Sequence, residues 1–306
     1  MESDRPPDPG RFTRELTDAA TQTPHPDPVE TRTASRRGIA IPLTAFTGTT
    51  HGAFVWVGHT DEEPPPHDLA GAWHFNLTTD TIGGSPELLD LYGVKPEDRQ
   101  TERATAEAFE RLIPNADASA ALAIIVRSQP GDEHQAVWGI RRDDGTLRAG
   151  HLSCRAVTEN HDGTSEVILR GITHDIGPAE HTPAAPHPPV LEQRVLASLA
   201  EPGAHRALAN LKTLRILRWI DDPVPDLAWR HNPDATAPER WIHPDDEPTA
   251  LAMSQDLSRG QSEATLRFAH TTGGWIPIHV VATIVLLDQH TTAGLFTMRP
   301  AGGRLP

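Results

Sequence analysis

Apolar and polar residues alternate along "GAWHFNLTTD" from Ala72 to Leu77, a period of two that predicts a strand. "TIGG" then turns the chain into a short second strand. "SPELLDLYG" changes the period: Ser85 can cap a helix, Pro86 suits its first position and Gly93 its end. "TAEAFERLI" predicts a second short helix. "ASAALAIIVRSQPG" predicts a third, stopped by Pro130 and Gly131. "EHQAVWGIRRDDGTLRAGHLSCRAV" reads as two strands around "DDG", and "SEVILRGITHDI" as the last strand. The expected order is β-β-α-α-α-β-β-β.

Upstream, "GIAIPLTAFTGTTHGAFVWVGH" (Gly38 to His59) carries two β-rich runs around "TGTTHG" and predicts a hairpin. Residues 1–36 have no sustained apolar period and are expected to be disordered. The hairpin and the linker "TDEEPPPHD" occupy residues 37–68, and a proline-dense linker covers 178–190. These bracket one unit at 69–177 and another at 191–300, with a tail at 301–306.

The two units echo each other. "ERLIPNADASAALA" from Glu110 aligns with "ERWIHPDDEPTALA" from Glu239, an offset of 239 − 110 = 129 that runs without a gap for about fifty residues. Glu110, Arg111, Ile113, Asp117, Ala121, Leu122 and Ala123 meet identical residues, and Gly131 and Gly145 meet Gly260 and Gly274. The second copy has no counterpart of "SPELLDLYG". The fold expectation is therefore α+β: two related modules, each an antiparallel sheet with short helices on one face, plus an N-terminal hairpin.

Charge narrows the partners. The formal net charge is −15, with 42 acidic and 27 basic residues, of which only Lys95 and Lys212 are lysines. Such a chain repels phosphate backbones and anionic lipid, so neither nucleic acid nor membrane is an expected partner. No apolar run reaches the ~18 residues of a membrane span. The longest, "IPIHVVATIVLL" (Ile276 to Leu287), is apolar on both alternating faces, as in a strand covered on both sides. Cys154 is the one cysteine, so no disulfide can form within the chain. The N-terminus is acidic and proline-rich, unlike a signal peptide. A soluble cytoplasmic protein is expected. The arginine-, alanine- and proline-rich composition matches a GC-rich bacterial genome and points to an actinobacterial source.

The ordered words "WHFNLTTD" from Trp73, "SPELLDLYGVKPED" from Ser85, "RLIPNAD" from Arg111, "RRDDGTLR" from Arg141 and "GITHDI" from Gly171 resemble a PAS domain, in particular the PAS third-fold subtype. The match covers residues 69–177, and the second copy resembles it in degenerate form from "RWIHPDD" onward. The hairpin resembles the tail of a GAF-type sensory domain. The PAS resemblance implies a cavity in the first module walled by Trp73, Phe75, Leu88, Leu91, Tyr92, Phe109, Leu122 and Val126.

Other conspicuous residues have two readings each. His243, Asp245 and Asp246 in "HPDD" could ligate a divalent ion, or could start the helix beginning near Glu247 through capping by an aspartate. The first copy replaces "HPDD" by "PNAD", which favours the architectural reading. Cys154 lies on a predicted strand, not in the helix motif of the flavin-reactive cysteine in light-sensing PAS domains, and is expected to pack. The long helices carry no histidine of the kind that ligates haem in PAS sensors, so no cofactor is expected. Isolated His74, His134, His151 and His174 read as core or surface residues, and Trp73, Trp138, Trp241 and Trp275 as packing or pocket walls.

No G-x-S-x-G, P-loop or zinc-ligand pair occurs, and no kinase, cyclase, phosphodiesterase or helix-turn-helix module follows the PAS-like pair. The expectation is a non-enzymatic sensory protein acting through a protein partner or its own dimerisation, with a small-ligand pocket in the first module. The alternative is a metal-dependent enzyme using the "HPDD" region.

Overall fold

The strands predicted from alternation appear in a computed structural model that describes residues 9–22, 27–113, 118–161, 163–182, 201–232 and 240–301. The first unit places β4 (Ala70–Asn76), β5 (Thr81–Gly84), β6 (Glu102–Ala104), β7 (Leu112–Ile113), β8 (Glu133–Arg141), β9 (Leu147–His161) and β10 (Thr164–Pro178) in one antiparallel sheet. Its order is β6-β5-β4-β10-β9-β8-β7. Helices α2 (Pro86–Leu91), α3 (Thr105–Arg111) and α4 (Ala118–Arg127) stand where the sequence predicts them, but β6 lies between α2 and α3 and β7 between α3 and α4, so the three helices are not consecutive as expected. Ser85 Oγ accepts the Leu88 N–H at 3.3 Å to start α2, and Gly93, at φ +70°, closes the turn after it.

The second unit forms β11 (His205–Ala209), β12 (Ile216–Trp219), β13 (Gln261–Ala269), β14 (Trp275–Leu286) and β15 (Thr292–Pro300), in the order β12-β11-β15-β14-β13. The first sheet contains the same order, as β5-β4-β10-β9-β8. Its helix α5 spans Glu247–Asp256, which is the range of α4 moved by the sequence offset (118 + 129 = 247 and 127 + 129 = 256). Gly131 and Gly260 both take positive φ, +102° and +121°, and Gly145 and Gly274 take +84° and +83°. The glycines kept in register thus stand where the backbone needs the left-handed region.

Residues 9–59 differ from expectation. The expected disorder gives way at α1 (Pro9–Gln22) and β1 (Val29–Arg32), the latter paired with β2 (Arg36–Thr44). The predicted hairpin is β2 with β3 (Thr50–His59). Leu16 and Ala20, four apart on α1, are buried with Ala40 of the sheet. Two apolar residues at helical spacing are too short a signal to stand out among the prolines and threonines. On its other face the hairpin contributes Leu43, Ala45 and Phe54 to a cluster with Ala70, Ala72 and Ile172 of the first unit. The hairpin thus covers the back of that sheet.

The units stack. One face of the second sheet packs on α5 through Ile278, Val280 and Ala282. Leu217, Leu287 and Ala293 join a core cluster with Phe109, Leu122 and Ile125 of the first unit. Helix α3 lies against β12, and Leu122, Ala123 and Ile125 of α4 share the cluster with Leu217, so α3 and α4 sit between the first sheet and the second. The repeat makes the difference visible: Leu122 on α4 is 2% exposed, while its counterpart Leu251 on α5 is 47% exposed. The second face of β14 is covered in part by the same chain, through Val285 at its end.

Candidate functional site

Strand β4 presents Trp73 and Phe75, two residues apart, to the same side of the sheet. Trp73 pairs across to Gly171, and its indole lies over that glycine; a Cβ there would come within 2.1 Å of the ring. Trp73 Nε1 donates to Thr173 Oγ1 at 3.0 Å, which satisfies a buried donor. Strand β8 adds His134 and Trp138, and β9 adds Leu152 and Cys154. Phe109 reaches in from α3 and meets the Trp138 ring edge-on at 6.2 Å. Ala121, Ile124 and Ile125 of α4 close the top. Together they enclose a mainly apolar cavity of about 100 Å³.

Of the eight residues expected to wall it, Trp73, Phe75, Tyr92 and Phe109 do so. Leu88, Leu91 and Leu122 are buried but do not line it, and Val126 faces the neighbouring cleft. Leu152, Cys154, Leu169 and Thr173 line it without having been expected. Their signal was present in the alternation of β9 and β10, where every second residue faces the helices. Burial pushes the Tyr92 phenol up to about 12, opposed by the Arg111 charge. Burial likewise pushes the Cys154 thiol up to about 11, against a weaker pull from the His134 backbone. Cys154 is therefore a wall group and a poor nucleophile near neutral pH.

Outside the cavity, between the units, lies a cleft of about 920 Å³. Val126, Arg127 and Gln129 line one side, and Asn210, Lys212, Ser254 and Thr292 the other. Lys212 Nζ donates to the Val126 carbonyl at 3.2 Å, and Arg127 pairs with Asp288 at 3.3 Å. Ile124, His134, Cys154 and Leu169 border both the cavity and the cleft, so the two voids adjoin.

A buried carboxylate joins the units on the far side of α3. Glu107, 3% exposed, accepts the Ala104 N–H at 2.8 Å and so caps its own helix. It also accepts from Arg230 Nη1 at 3.2 Å and from the His231 N–H at 3.0 Å, both in the second unit. Arg230 also donates to Glu110 at 3.0 Å and stacks over Trp229 at 4.4 Å. Helix α3 thus has Phe109 at the cavity and Glu107 on the second unit.

The "HPDD" corner has a structural arrangement. His243 Nδ1 accepts the Asp245 N–H at 3.2 Å at the start of a short 3-10 turn, and α5 begins at Glu247. The expected capping by an aspartate is not made. Asp246 instead accepts three bonds from Arg267 on β13: from N at 2.8 Å, Nε at 2.9 Å and Nη2 at 2.8 Å. The Arg267 guanidinium holds its carboxyl down at about 2. His243 also meets Trp275 ring to ring at 4.7 Å. Among the described residues no three His, Cys, Asp or Glu side chains converge as a metal site. The first copy's "PNAD" lies outside the described residues. No helix among the described residues is long and apolar enough to cross a membrane.

Comparison with known proteins places these units. Residues 69–175 match the model described as "Rv3651-like, middle domain", and residues 189–305 match "Rv3651-like, C-terminal domain". A crystal structure of an uncharacterized protein from Mycobacterium tuberculosis is 28% identical, with a TM-score of 0.80 over 95% of this chain and 84% of that one. A sensory box histidine kinase/response regulator from Burkholderia thailandensis is a weaker neighbour, 20% identical at a TM-score of 0.27, over 36% of this chain and 79% of that one. An RNA-binding light-oxygen-voltage receptor is 9% identical at 0.29, over 75% of this chain and 94% of that one. No curated protein matches the chain.

Proposed function

From a chain that carries the Rv3651-like middle and C-terminal domains, we propose a non-enzymatic sensory protein built from two PAS-like modules. The first module binds a small molecule, and the second passes the change to a protein partner or a second copy of the chain. The observation that carries this reading is the position of α3. Phe109 borders the cavity, while Glu107 of the same helix is bonded to Arg230 and His231 of the second unit. An occupant that displaces Phe109 therefore acts on a rigid seven-residue element anchored in the other unit.

The metal-enzyme alternative has less to support it. Asp246 is committed to Arg267, and the His243 ring nitrogen to a backbone N–H. Metal analysis of the purified chain and of His243→Ala separates the two readings; stoichiometric metal lost in the variant would favour the enzyme. For the sensory reading, the tests are native mass spectrometry and thermal shift across a metabolite panel, with light scattering for self-association. A retained or stabilising small molecule is expected. A chain that binds nothing, stays monomeric at high concentration and captures no partner would refute it.

A further inference from the structure

The cavity of about 100 Å³ is small for a ligand site, since such sites commonly hold ~300–1,000 Å³. An engineered apolar cavity that accepts benzene measures about 150 Å³. An occupant of the inner void alone must therefore be smaller than benzene, and the last few carbons of an alkyl chain are. The inner void adjoins the cleft of about 920 Å³ across Ile124, His134, Cys154 and Leu169. A molecule entering from the cleft would meet an apolar bore after a polar mouth.

Charge at the mouth selects the polar end. Lys212 is one of two lysines in a chain of net charge −15. Its ammonium donates to the Val126 carbonyl, and among the described residues no carboxylate lies within ion-pair distance of it. The acids around the cleft make their bonds to groups other than Lys212. Asp132 accepts the Gln129 N–H at 3.0 Å, Asp288 pairs with Arg127, and Glu133 lies 3.7 Å from Arg155. Arg127 thus has a carboxylate partner, and Lys212 is left with a backbone carbonyl alone.

We propose that cavity and cleft form one bipartite site for an amphiphile of the alkyl-carboxylate class. The alkyl end lies between Phe109, Trp138 and Leu152 of the first unit, and the carboxylate meets Lys212 of the second. The idea rests on the reading that the first unit holds a small ligand, and names its class. It also makes the ligand a bridge between the units.

Calorimetric titration of the full chain with decanoate, butyrate and 1-decanol tests it. Decanoate is expected to bind one to one and butyrate at least tenfold more weakly. Lys212→Ala, on the exposed rim, should weaken decanoate at least tenfold and leave 1-decanol unchanged. Ala121→Leu, which narrows the bore, should weaken both decanoate and 1-decanol. If that variant does not fold, the decanoate–butyrate difference reads the bore instead. Absence of saturable decanoate binding, equal affinity for butyrate, or an unchanged affinity in Lys212→Ala would each overturn the proposal. A metabolite that binds where decanoate does not would leave the sensory reading standing and remove this one.

Discussion

Asp246 shows how a residue that looks chemical can be architectural. Its three bonds from Arg267 tie the start of α5 to β13. With its folded pKa held at about 2, below the ordinary carboxylate value, the carboxylate stabilises the fold above about pH 4 and loses that contribution as pH falls toward 2. Asp246→Asn should cost about 1 kcal/mol at pH 7, given the exposure of the pair. Urea melts from pH 7 to pH 2 should show that difference vanish at the acid end. Cys154 supplies a second check. With its thiol raised to about 11 by burial, alkylation at pH 7.5 in the folded chain should run at least tenfold slower than in urea. Sequence reasoning placed Cys154 as a packing residue because it sits on an alternating strand. It assigned the capping near "HPDD" to an aspartate because the partner, Arg267, comes from a strand twenty-one positions away. Capping preferences are local and readable from adjacent residues, whereas a clamp between elements is not.

Among the elements, the helices and hairpins of the repeats were legible because each carries its own punctuation. Ser85, Pro86 and Gly93 bound α2, and Gly145 and Gly274 mark equivalent turns. Neither turn glycine has a neighbour within 4 Å of an added Cβ, so Gly145→Ala and Gly274→Ala should cost similar amounts, about 1 kcal/mol each, from backbone conformation alone. Thermal melts of the two variants compare them directly. The two-residue strand β7 was not legible, since it exists only by pairing with β8. Helix α1 was missed for a related reason: its burial depends on a sheet later in the chain. The role of α3 was also out of reach. "TAEAFERLI" announces a helix, but nothing in it says that Glu107 is buried against Arg230 and His231. Glu107→Ala should lower stability by about 2 kcal/mol, because it leaves the Ala104 and His231 N–H groups without their acceptor, while the exposed Arg230 keeps Glu110. It should also speed exchange at the His231 amide, read by hydrogen–deuterium exchange.

At the scale of the whole molecule, the 129-residue repeat yields a stack rather than two beads. Leu217, Leu287 and Ala293 share a cluster with Phe109 and Leu122, so unfolding should be a single cooperative transition by fluorescence and circular dichroism alike. The sequence showed the copies but not their docking. The one hint was α4, more apolar than α5 although both align: Ile125, where α5 has Ser254, is buried in the cluster with Leu217, Leu287 and Ala293. Docking puts the walls of the cavity within one or two side chains of the other unit. The central claim is that filling the cavity is felt there. Hydrogen–deuterium exchange of the full chain, compared with Ala121→Leu as a permanent occupant, tests it most directly. Altered protection across residues 216–232, beyond the substituted unit, is the predicted result. A change confined to residues 69–177, with 216–232 identical in both proteins, would contradict it.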